Sequence, residues 1–214
     1  HLLTKPLNSA SSGSVTRSSL IAAARTSFGQ RGFDGASVRE ITAAAGTNLG
    51  AITYHFGSKR GLYAAVLEEG LRPIAEQVQA AAVGEGSALD RIVRVVETYF
   101  QHLEDHPDLP HLLLQEVAAG KSPPPVVLEV VQRIKSTIAG LQSEGEKDGS
   151  VRPGHPVLTA LSVISQPIYM TLVAPLLREV AGLDLTDPVT RALAVNHATS
   201  FVHAALAPRP EVRS

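Results

Sequence analysis

The sequence predicts an all-α fold of about nine helices. Apolar side chains recur three and four residues apart along most of the chain, whereas the apolar–polar alternation of β-strands is almost absent. Glycine, proline, serine and asparagine separate these periodic segments at positions where helices begin and end. The chain has 214 residues, 44% of them apolar, which is enough to bury a sizeable core in one or two domains.

The first predicted helix covers residues 16–31 and ends at Gly32. Residues 1–14 carry neither an initiator methionine nor an apolar run of signal-peptide length, and we expect a disordered leader or a remnant of expression there. One face of the helix is apolar and is expected to be buried; it presents Leu20, Ile21, Ala24 and Phe28.

The next two predicted helices are short and are joined by a glycine turn. Ser37 and Glu40 have the spacing of a capping box, which predicts a helix start, and Gly46 closes that helix. Asn48 can cap a following helix that runs to about residue 56, where Gly57 stops it. This arrangement predicts a helix-turn-helix, whose second helix can enter the major groove of DNA.

Longer helices are predicted over the rest of the chain. Ser58 caps the first of them, which covers about residues 59–83, and the break at residues 84–87 marks a change of role along the chain. Pro167 lies inside a predicted helix and is expected to kink or break it. The other predicted helices cover about residues 88–104, 108–119, 124–147, 156–181 and 188–207.

Charge is distributed unevenly between the two predicted domains. Residues 15–60, the predicted helix-turn-helix domain, carry six basic and two acidic side chains, a net charge of +4. Residues from Gly61 onward carry −6, and most of them form a predicted effector-binding and dimerisation domain over residues 61–207, followed by a tail over residues 208–214. A basic head on an acidic body suits a protein that contacts phosphates with one end; a chance fluctuation of surface charge is the alternative.

We expect the third predicted helix to have an anchoring face and a DNA-reading face. Leu49, Ile52 and Phe56 share the apolar face, which anchors the helix to the body of the domain. On the opposite face Thr53 can offer a hydroxyl to a base or a methyl group to thymine. Beside it, Gly50 lets the backbone approach base edges.

Five nearby side chains are suited to holding the DNA backbone. Ser37, at a helix N-terminus, can cap a phosphate, and Arg39 projects from the first turn of the same helix. Tyr54, His55 and Lys59 can donate to phosphate or pair with its charge, which positions a protein without reading sequence. The structural alternatives are that Tyr54 packs in the core, that His55 is a satisfied structural histidine and that Arg39 is a solvated surface charge.

Residues of about 16–68 resemble the N-terminal domain of the TetR/AcrR family of bacterial transcriptional regulators. The resemblance rests on SVREITAAAG followed by TNLGAITYHFGSKRGLYAAVL, within which YHF-x-SK-x-x-L is the most specific part. The recognition helix is most similar to a subgroup in which a small polar residue, here Thr53, replaces the usual tyrosine. The resemblance implies DNA contacts at Arg39, Thr47, Asn48, Leu49, Gly50, Thr53, Tyr54, His55 and Lys59.

The same resemblance implies a cytoplasmic homodimer, formed through the last two helices, on a near-palindromic operator. Such a protein usually represses transcription and is released from double-stranded operator DNA by a small-molecule effector. Two alternatives stay open. The chain could be a helical ligand- or protein-sensing module without specific DNA binding, or an activator that uses the same DNA contacts.

By analogy with the family, the effector pocket lies between the long helix after the head and the helices that follow Ser87. Aromatic, apolar and isolated polar side chains on mostly apolar helices are the candidates, although each is also suited to a plain core. The effector itself is not named by a fold resemblance. The candidate pocket residues are Tyr99, Phe100, Leu103, Leu112, Gln115, Glu116, Gln166, Tyr169 and Met170.

Three other functions are weighed and set aside. Residues 157–177 form an uncharged stretch long enough for a membrane span, but polar residues and two prolines interrupt it, so we expect no membrane helix. His102 and His106 have the spacing of metal ligands, yet Pro107 follows and a solvated helix end is expected instead. The chain has no cysteine, no G-x-S-x-G and no P-loop, so we expect neither an enzyme nor a cofactor.

Overall fold

A computed structural model describes residues 9–118, 120 and 122–209, and within these ranges it contains ten α-helices and no strand. The all-α prediction is confirmed. The helices are α1 (Ser9–Gly35), α2 (Val38–Ala44), α3 (Gly50–Phe56), α4 (Lys59–Ala81), α5 (Ala88–Asp105), α6 (Leu109–Ala118), α7 (Pro125–Asp148), α8 (Pro156–Leu172), α9 (Ala174–Ala181) and α10 (Pro188–Leu206).

Helix α1 begins before its predicted start. It begins at Ser9, so residues 9–14 are helical where a disordered leader was predicted, while residues 1–8 lie outside the described residues. Extending a helix costs far less than nucleating one, and no proline stands between Ser9 and the predicted start. Gly32, with φ 70° and ψ 176°, leaves the helical conformation at the predicted end, and residues 33–35 follow it as a short helical turn.

The predicted helix over residues 156–181 is two helices, which accounts for the tenth. The break lies at Val173 and bends α8 against α9 by 65°, whereas Pro167, where a kink or break was predicted, stays inside α8 and is buried. Pro175 stands in the first turn of α9. Its missing N–H and its ring, which would meet the carbonyl of Thr171, explain why α8 cannot continue.

Helices α8 and α9, together with Val173 between them, contain residues 157–177, the uncharged stretch that was considered as a membrane span. No single described helix is both long enough and apolar enough to cross a membrane. Only α8 and α9 taken together have the necessary length and composition, and they are separated by the 65° bend.

The chain divides into two compact units. Among the described residues, the head unit comprises those from 9 to 69 and from 112 to 124, and the body unit comprises those from 70 to 111 and from 125 to 209. The head unit therefore extends beyond the helix-turn-helix range of residues 15–60 and takes in residues 112–124, which the sequence assigned to the effector-binding domain. Helix α4 contributes residues to both units.

Aromatic rings form the centre of the head unit. The rings of Phe28 and Tyr63 meet edge to face at 4.9 Å, and Phe33 lies 5.2 Å from Tyr63. Edge-to-face pairs of this kind stabilise a core beyond the area they bury. The apolar face predicted for α1 is buried here, together with Ile41 of α2 and Ile52 of α3.

The body unit is built around α5, which packs against α7, α8 and α10. Its N-terminus carries a complete capping box, since Ser87 Oγ accepts from the Asp90 N–H at 3.2 Å and the Asp90 carboxylate accepts from the Ser87 N–H at 2.9 Å. These hydrogen bonds hold the pKa of Asp90 below its usual value. The predicted break at residues 84–87 is non-helical, and its last residue, Ser87, caps α5.

Candidate nucleic-acid interface

Three local hydrogen bonds hold the start of α2 and the turn between α2 and α3. Ser37 Oγ accepts from the Glu40 N–H at 3.5 Å, and Asn48 Oδ1 accepts from the Ala51 N–H at 3.2 Å. Gly46 adopts φ 66°, and the N–H of the next residue, Thr47, donates to the carbonyl of Thr42 at 2.9 Å. Both predicted helix starts are therefore capped by the expected side chains.

The predicted capping box at Ser37 is only half formed. The Glu40 carboxylate pairs with Arg31 of α1 instead of accepting from the Ser37 amide. Arg31 and Glu40 thereby tie α2 to α1 at the surface of the head unit, and α1, α2 and α3 pack against one another in pairs. The sequence could not reveal this exchange of partners, because the two residues belong to different helices.

Helix α3 is anchored by one face and exposed on the other. Ile52 is buried, and Phe56 is half-buried beneath the Arg17 guanidinium, 5.3 Å from its ring centre. Thr53 is exposed and the Tyr54 side chain is 84% exposed. The core-packing alternative for Tyr54 is therefore wrong. The structure leaves the face predicted to read DNA open to solvent.

The prediction that Leu49 anchors α3 is wrong. Its side chain is 48% exposed, because Leu49 occupies the N-cap position and so precedes the helical spacing that aligns Ile52 with Phe56. It lines an open surface depression instead. Five of the predicted DNA-contact residues line this depression: Arg39, Thr47, Asn48, Leu49 and Gly50. Thr42 and Ala43, which the sequence analysis did not single out, line it as well.

The angle between α3 and α4 depends on a glycine. A Cβ atom on Gly61 would lie 2.0 Å from the carbonyl oxygen of Phe56, so the chain can close this tightly only without a side chain there. Ser58 Oγ accepts from the Gly61 N–H at 3.0 Å and caps α4, as predicted. Gly61 is thus a positioning residue for the exposed helix that sequence reasoning did not identify.

Lys59 is engaged within the head unit. Its Nζ donates to the carbonyl of Asp34 at 3.4 Å and lies 4.8 Å from the centre of the Phe33 ring. A contact with phosphate would require the flexible side chain to leave these partners. Ser37 and His55 are half-buried and Arg39 is exposed. Their predicted contacts with phosphate stay predictions.

Three residues predicted to line the effector pocket lie in the head unit. Tyr63 Oη donates to the carbonyl of Leu112 at 3.3 Å, and Gln115 packs beside Gly32. Glu116 is 5% exposed and receives two hydrogen bonds from Arg60, at 3.4 Å and 3.2 Å. Burial, together with the Glu116 carboxylate, raises the pKa of Tyr63 well above its ordinary value. These residues hold residues 112–124 to the rest of the head unit.

Two of the predicted pocket residues, Phe100 and Leu103, line a cavity of about 290 Å³ in the body unit. Tyr99 is buried, and its burial raises the pKa of the phenol well above the ordinary value. The remaining candidates lie on α8. Tyr169 is largely exposed, while Gln166 and Met170 are half-buried.

The histidine pair is not the solvated helix end that the sequence predicted. His102 is buried, and its Nε2 lies 2.8 Å from the carbonyl oxygen of Gly70. A carbonyl can only accept, so Nε2 carries a hydrogen. The ring stacks on that of His106 at 4.5 Å. Over the described ranges, no three His, Asp or Glu side chains come together as metal ligands would.

Two family models match the chain. Residues 20–66 match the model of bacterial regulatory proteins of the tetR family. Residues 89–202, more than half of the chain, match the model of a tetracyclin repressor-like C-terminal domain. The first match contains α2 and α3, and the second contains the 290 Å³ cavity.

Individual relatives are regulators as well. Over 74 residues the chain is 45% identical to the HTH-type transcriptional dual regulator CecR of Shigella flexneri, a match that covers 31% of this chain and 33% of CecR. It is 26% identical to the HTH-type transcriptional regulator RutR of Escherichia coli O157:H7 over 82% of this chain and 83% of RutR. The chain thus spans about a third of the length of CecR and most of RutR.

Solved structures share the fold. A bacterial regulatory protein in the tetR family from Rhodococcus RHA1 superposes with a TM-score of 0.75 at 20% identity, covering 91% of this chain and 98% of that one. The ketosteroid transcriptional regulator KstR2 of Mycobacterium tuberculosis superposes with a TM-score of 0.72 at 17% identity, covering 97% of this chain and all of that one.

Proposed function

Because the chain belongs to the tetR family of bacterial regulatory proteins, we propose that it is a DNA-binding transcriptional regulator. The exposed face of α3 is the observation that carries the proposal. Thr53 and Tyr54 stand in solvent while Ile52, on the opposite side of a seven-residue helix, is buried in the head core. A helix held by one face beside an open depression suits insertion into a major groove.

The residues of this surface divide into three roles. Thr53 is the base reader, because a short hydroxyl side chain at the exposed centre of α3 can reach a base edge. Tyr54, His55, Arg39 and Lys59 hold phosphates, and Arg39 and Lys59 are two of the six basic side chains of residues 15–60. Ser37, at the N-terminus of α2, caps a phosphate, and the backbone of the turn comes close to the DNA at Thr47, Asn48, Leu49 and Gly50.

We infer further that the regulator is a homodimeric repressor. Helices α8 and α10, which belong to the last two predicted helices, supply the proposed dimer surface, because large apolar side chains there are exposed: Leu158 and Leu161 on α8, Leu193 and Phe201 on α10. Large apolar side chains exposed in this way favour association. Two heads related by a twofold axis would read a near-palindromic operator, with half-sites about one helical turn apart.

Release from DNA is assigned to a small-molecule effector bound in the body unit. A ligand can shift the protein off its operator only if it binds the DNA-free arrangement more tightly than the DNA-bound one. The cavity lined by Phe100 and Leu103 is the proposed site. A regulator of chromosomal genes acts in the cytoplasm, and the proposal locates the protein there.

Footprinting on DNA upstream of the protein's own gene, with a salt titration, tests the proposal. We expect a protected, near-palindromic site and an affinity that falls steeply as salt rises. Binding without sequence preference would contradict a specific regulator. Loss of transcription from the protected promoter on deletion of the gene would assign an activator instead of a repressor.

Two exposed residues of α3 serve as a matched pair in that assay. Tyr54→Phe removes a hydroxyl from a phosphate contact and should weaken binding to all sequences by a similar factor. Thr53→Ala should change the preferred base at one position of each half-site, by about 1 kcal/mol or more of discrimination. An unchanged base preference in the Thr53 variant would remove that residue from the readout.

A further inference from the structure

The cavity in the body unit combines an apolar wall with one pair of opposite charges. It lies where the C-terminal end of α5, the break between α8 and α9, and the start of α10 come together. Its volume of about 290 Å³ is at the small end of ligand pockets. The charged pair is Glu104 of α5 and Arg191 of α10, and the apolar wall is formed by Phe100, Leu103, Pro107, Ala174 and Leu185.

The ion pair at this cavity is easy to exchange. The side chains of Arg191 and Glu104 are 31% and 46% exposed, so solvent screens their attraction and the contact contributes little to stability. The contact uses one of the five N–H donors of the guanidinium. Arg191 thus keeps the donors needed to hold a second carboxylate through two parallel hydrogen bonds.

The neighbouring carboxylates do not compete for Arg191. Asp184 accepts from the N–H and the hydroxyl of Thr186, at 2.9 Å and 2.7 Å. Asp187 accepts from the N–H and the hydroxyl of Thr190, at 2.8 Å and 2.9 Å, and caps α10. These hydrogen bonds lower the pKa of both carboxyls, which stay charged and locally bound. Glu104 is therefore the group that a ligand must displace.

We propose that this cavity binds a small, largely apolar molecule with one carboxylate, which replaces Glu104 on Arg191. The apolar part of the ligand packs against the wall between Phe100 and Leu185, and its carboxylate accepts hydrogen bonds from the guanidinium of Arg191. The idea rests on the proposed function, in which this molecule is the effector. Binding would break the ion pair between α5 and α10, and α10 also carries Leu193 of the proposed dimer surface.

Calorimetric titration of the DNA-free protein tests the ligand class. The probes are carboxylates from butyrate to 3-phenylpropionate, each compared with the amide and the amine of the same carbon skeleton. We expect at least one carboxylate to bind roughly tenfold more tightly than its neutral amide. A ratio of this size is typical of a charge-assisted hydrogen bond that solvent partly screens. The amine should bind more weakly than either.

Two substitutions at the cavity have opposite expected signs. Arg191→Gln should abolish the preference for the carboxylate, whereas Glu104→Gln should tighten carboxylate binding because the competing group is gone. Arg178→Gln, on the exposed surface of α9 and outside the cavity wall, is the matched control and should leave binding unchanged. If Arg191→Gln does not fold, the tighter carboxylate binding expected of Glu104→Gln still tests the proposed site.

Two kinds of titration result would overturn the proposed carboxylate site. No carboxylate that binds more tightly than its amide, or weaker carboxylate binding in Glu104→Gln, would exclude an anion site. Preferred binding of the amine, lost in Glu104→Gln, would assign a cation site. A gel shift separates carboxylate binding in the cavity from release of the operator by an effector. If a carboxylate binds but leaves operator affinity unchanged, effector release is refuted and the site is not. A specific operator complex without carboxylate binding refutes this site alone.

Discussion

The ion pair between Arg60 and Glu116 is buried on one side only. Glu116 is 5% exposed, whereas the Arg60 side chain is 39% exposed and lies 5.3 Å from the centre of the Phe33 ring. Arg60 also donates to the carbonyl of Ser122 at 3.4 Å. The carboxylate therefore depends on this guanidinium, while the guanidinium keeps access to water. Removing one partner should not be equivalent to removing the other.

Arg60→Met should destabilise the protein more than Glu116→Gln does. The methionine leaves a buried carboxylate without a cation, at a cost of about 2 kcal/mol after allowance for the exposure of Arg60. The glutamine is neutral and should cost about 1 kcal/mol. Urea unfolding followed by circular dichroism measures both. The double variant, which buries no charge, should be more stable than Arg60→Met alone; a lower stability would contradict this account.

Single residues were predictable where local spacing decides their surroundings. The buried side of α1 and the exposure of Thr53 and Tyr54 follow from helical periodicity. The burial of His102 does not, because it depends on the approach of α5 to Gly70, 32 positions earlier in the chain. Leu49 was misjudged for another reason: the periodicity was extended one residue past the start of α3.

Helices α5 and α7 approach one another through a glycine. A Cβ atom on Gly145 would lie 2.4 Å from Val151 Cγ2 and 3.0 Å from the Cβ of Ala88. Neither neighbour can move far, since Ala88 is in the first turn of α5 and Val151 is buried. Gly140, on the same helix, has no such neighbour within 4 Å of its Cβ position. The two glycines differ only in packing.

Gly145→Ala should lower the free energy of unfolding by about 2 kcal/mol, because an overpacked contact must be relieved by backbone shifts. Gly140→Ala should raise it by about 0.5 to 1 kcal/mol, because alanine loses less backbone entropy in a helix interior. Thermal and urea unfolding of both variants decide the matter. Equal effects of the two substitutions would show that Gly145 is not a packing requirement.

Helix ends were predictable to within two residues wherever a capping side chain, a glycine or a proline fixes them, as at α4, α5, α6, α7 and α10. The break at Val173, inside the helix predicted over residues 156–181, was not predicted. Two prolines stand in the predicted helix, and the sequence does not say which one the packing tolerates. Pro167 is buried inside α8, and Pro175 starts α9.

At the scale of the whole molecule, the division into two units follows contacts that are distant in sequence. Residues 112–124 belong to the head unit, although the chain passes through α5 before reaching them. Tyr63 and Leu112 are 49 positions apart, and Arg60 and Glu116 are 56 apart. Hydrophobic periodicity carries no information about such pairings, so Leu112 and Glu116 were assigned to the effector pocket by analogy alone.

The proposed homodimer makes a prediction about α10. Leu193 is 62% exposed on α10, and Leu128 is 57% exposed on α7, outside the proposed dimer surface. Leu193→Asp places a charge where the two copies would exclude water and should raise the dimer dissociation constant by about thirtyfold or more. Leu128→Asp should leave it unchanged. Sedimentation velocity over a concentration series measures both.

Operator binding should follow the state of association. A dimer presents two heads to two half-sites at once, so a monomer loses the gain in effective concentration as well as half of its contacts. Leu193→Asp should therefore require far more protein to protect the operator, while its head unit stays folded and still contacts a single half-site. The opposite pattern, a dimeric Leu193 variant and a monomeric Leu128 variant, would move the interface from α10 to α7.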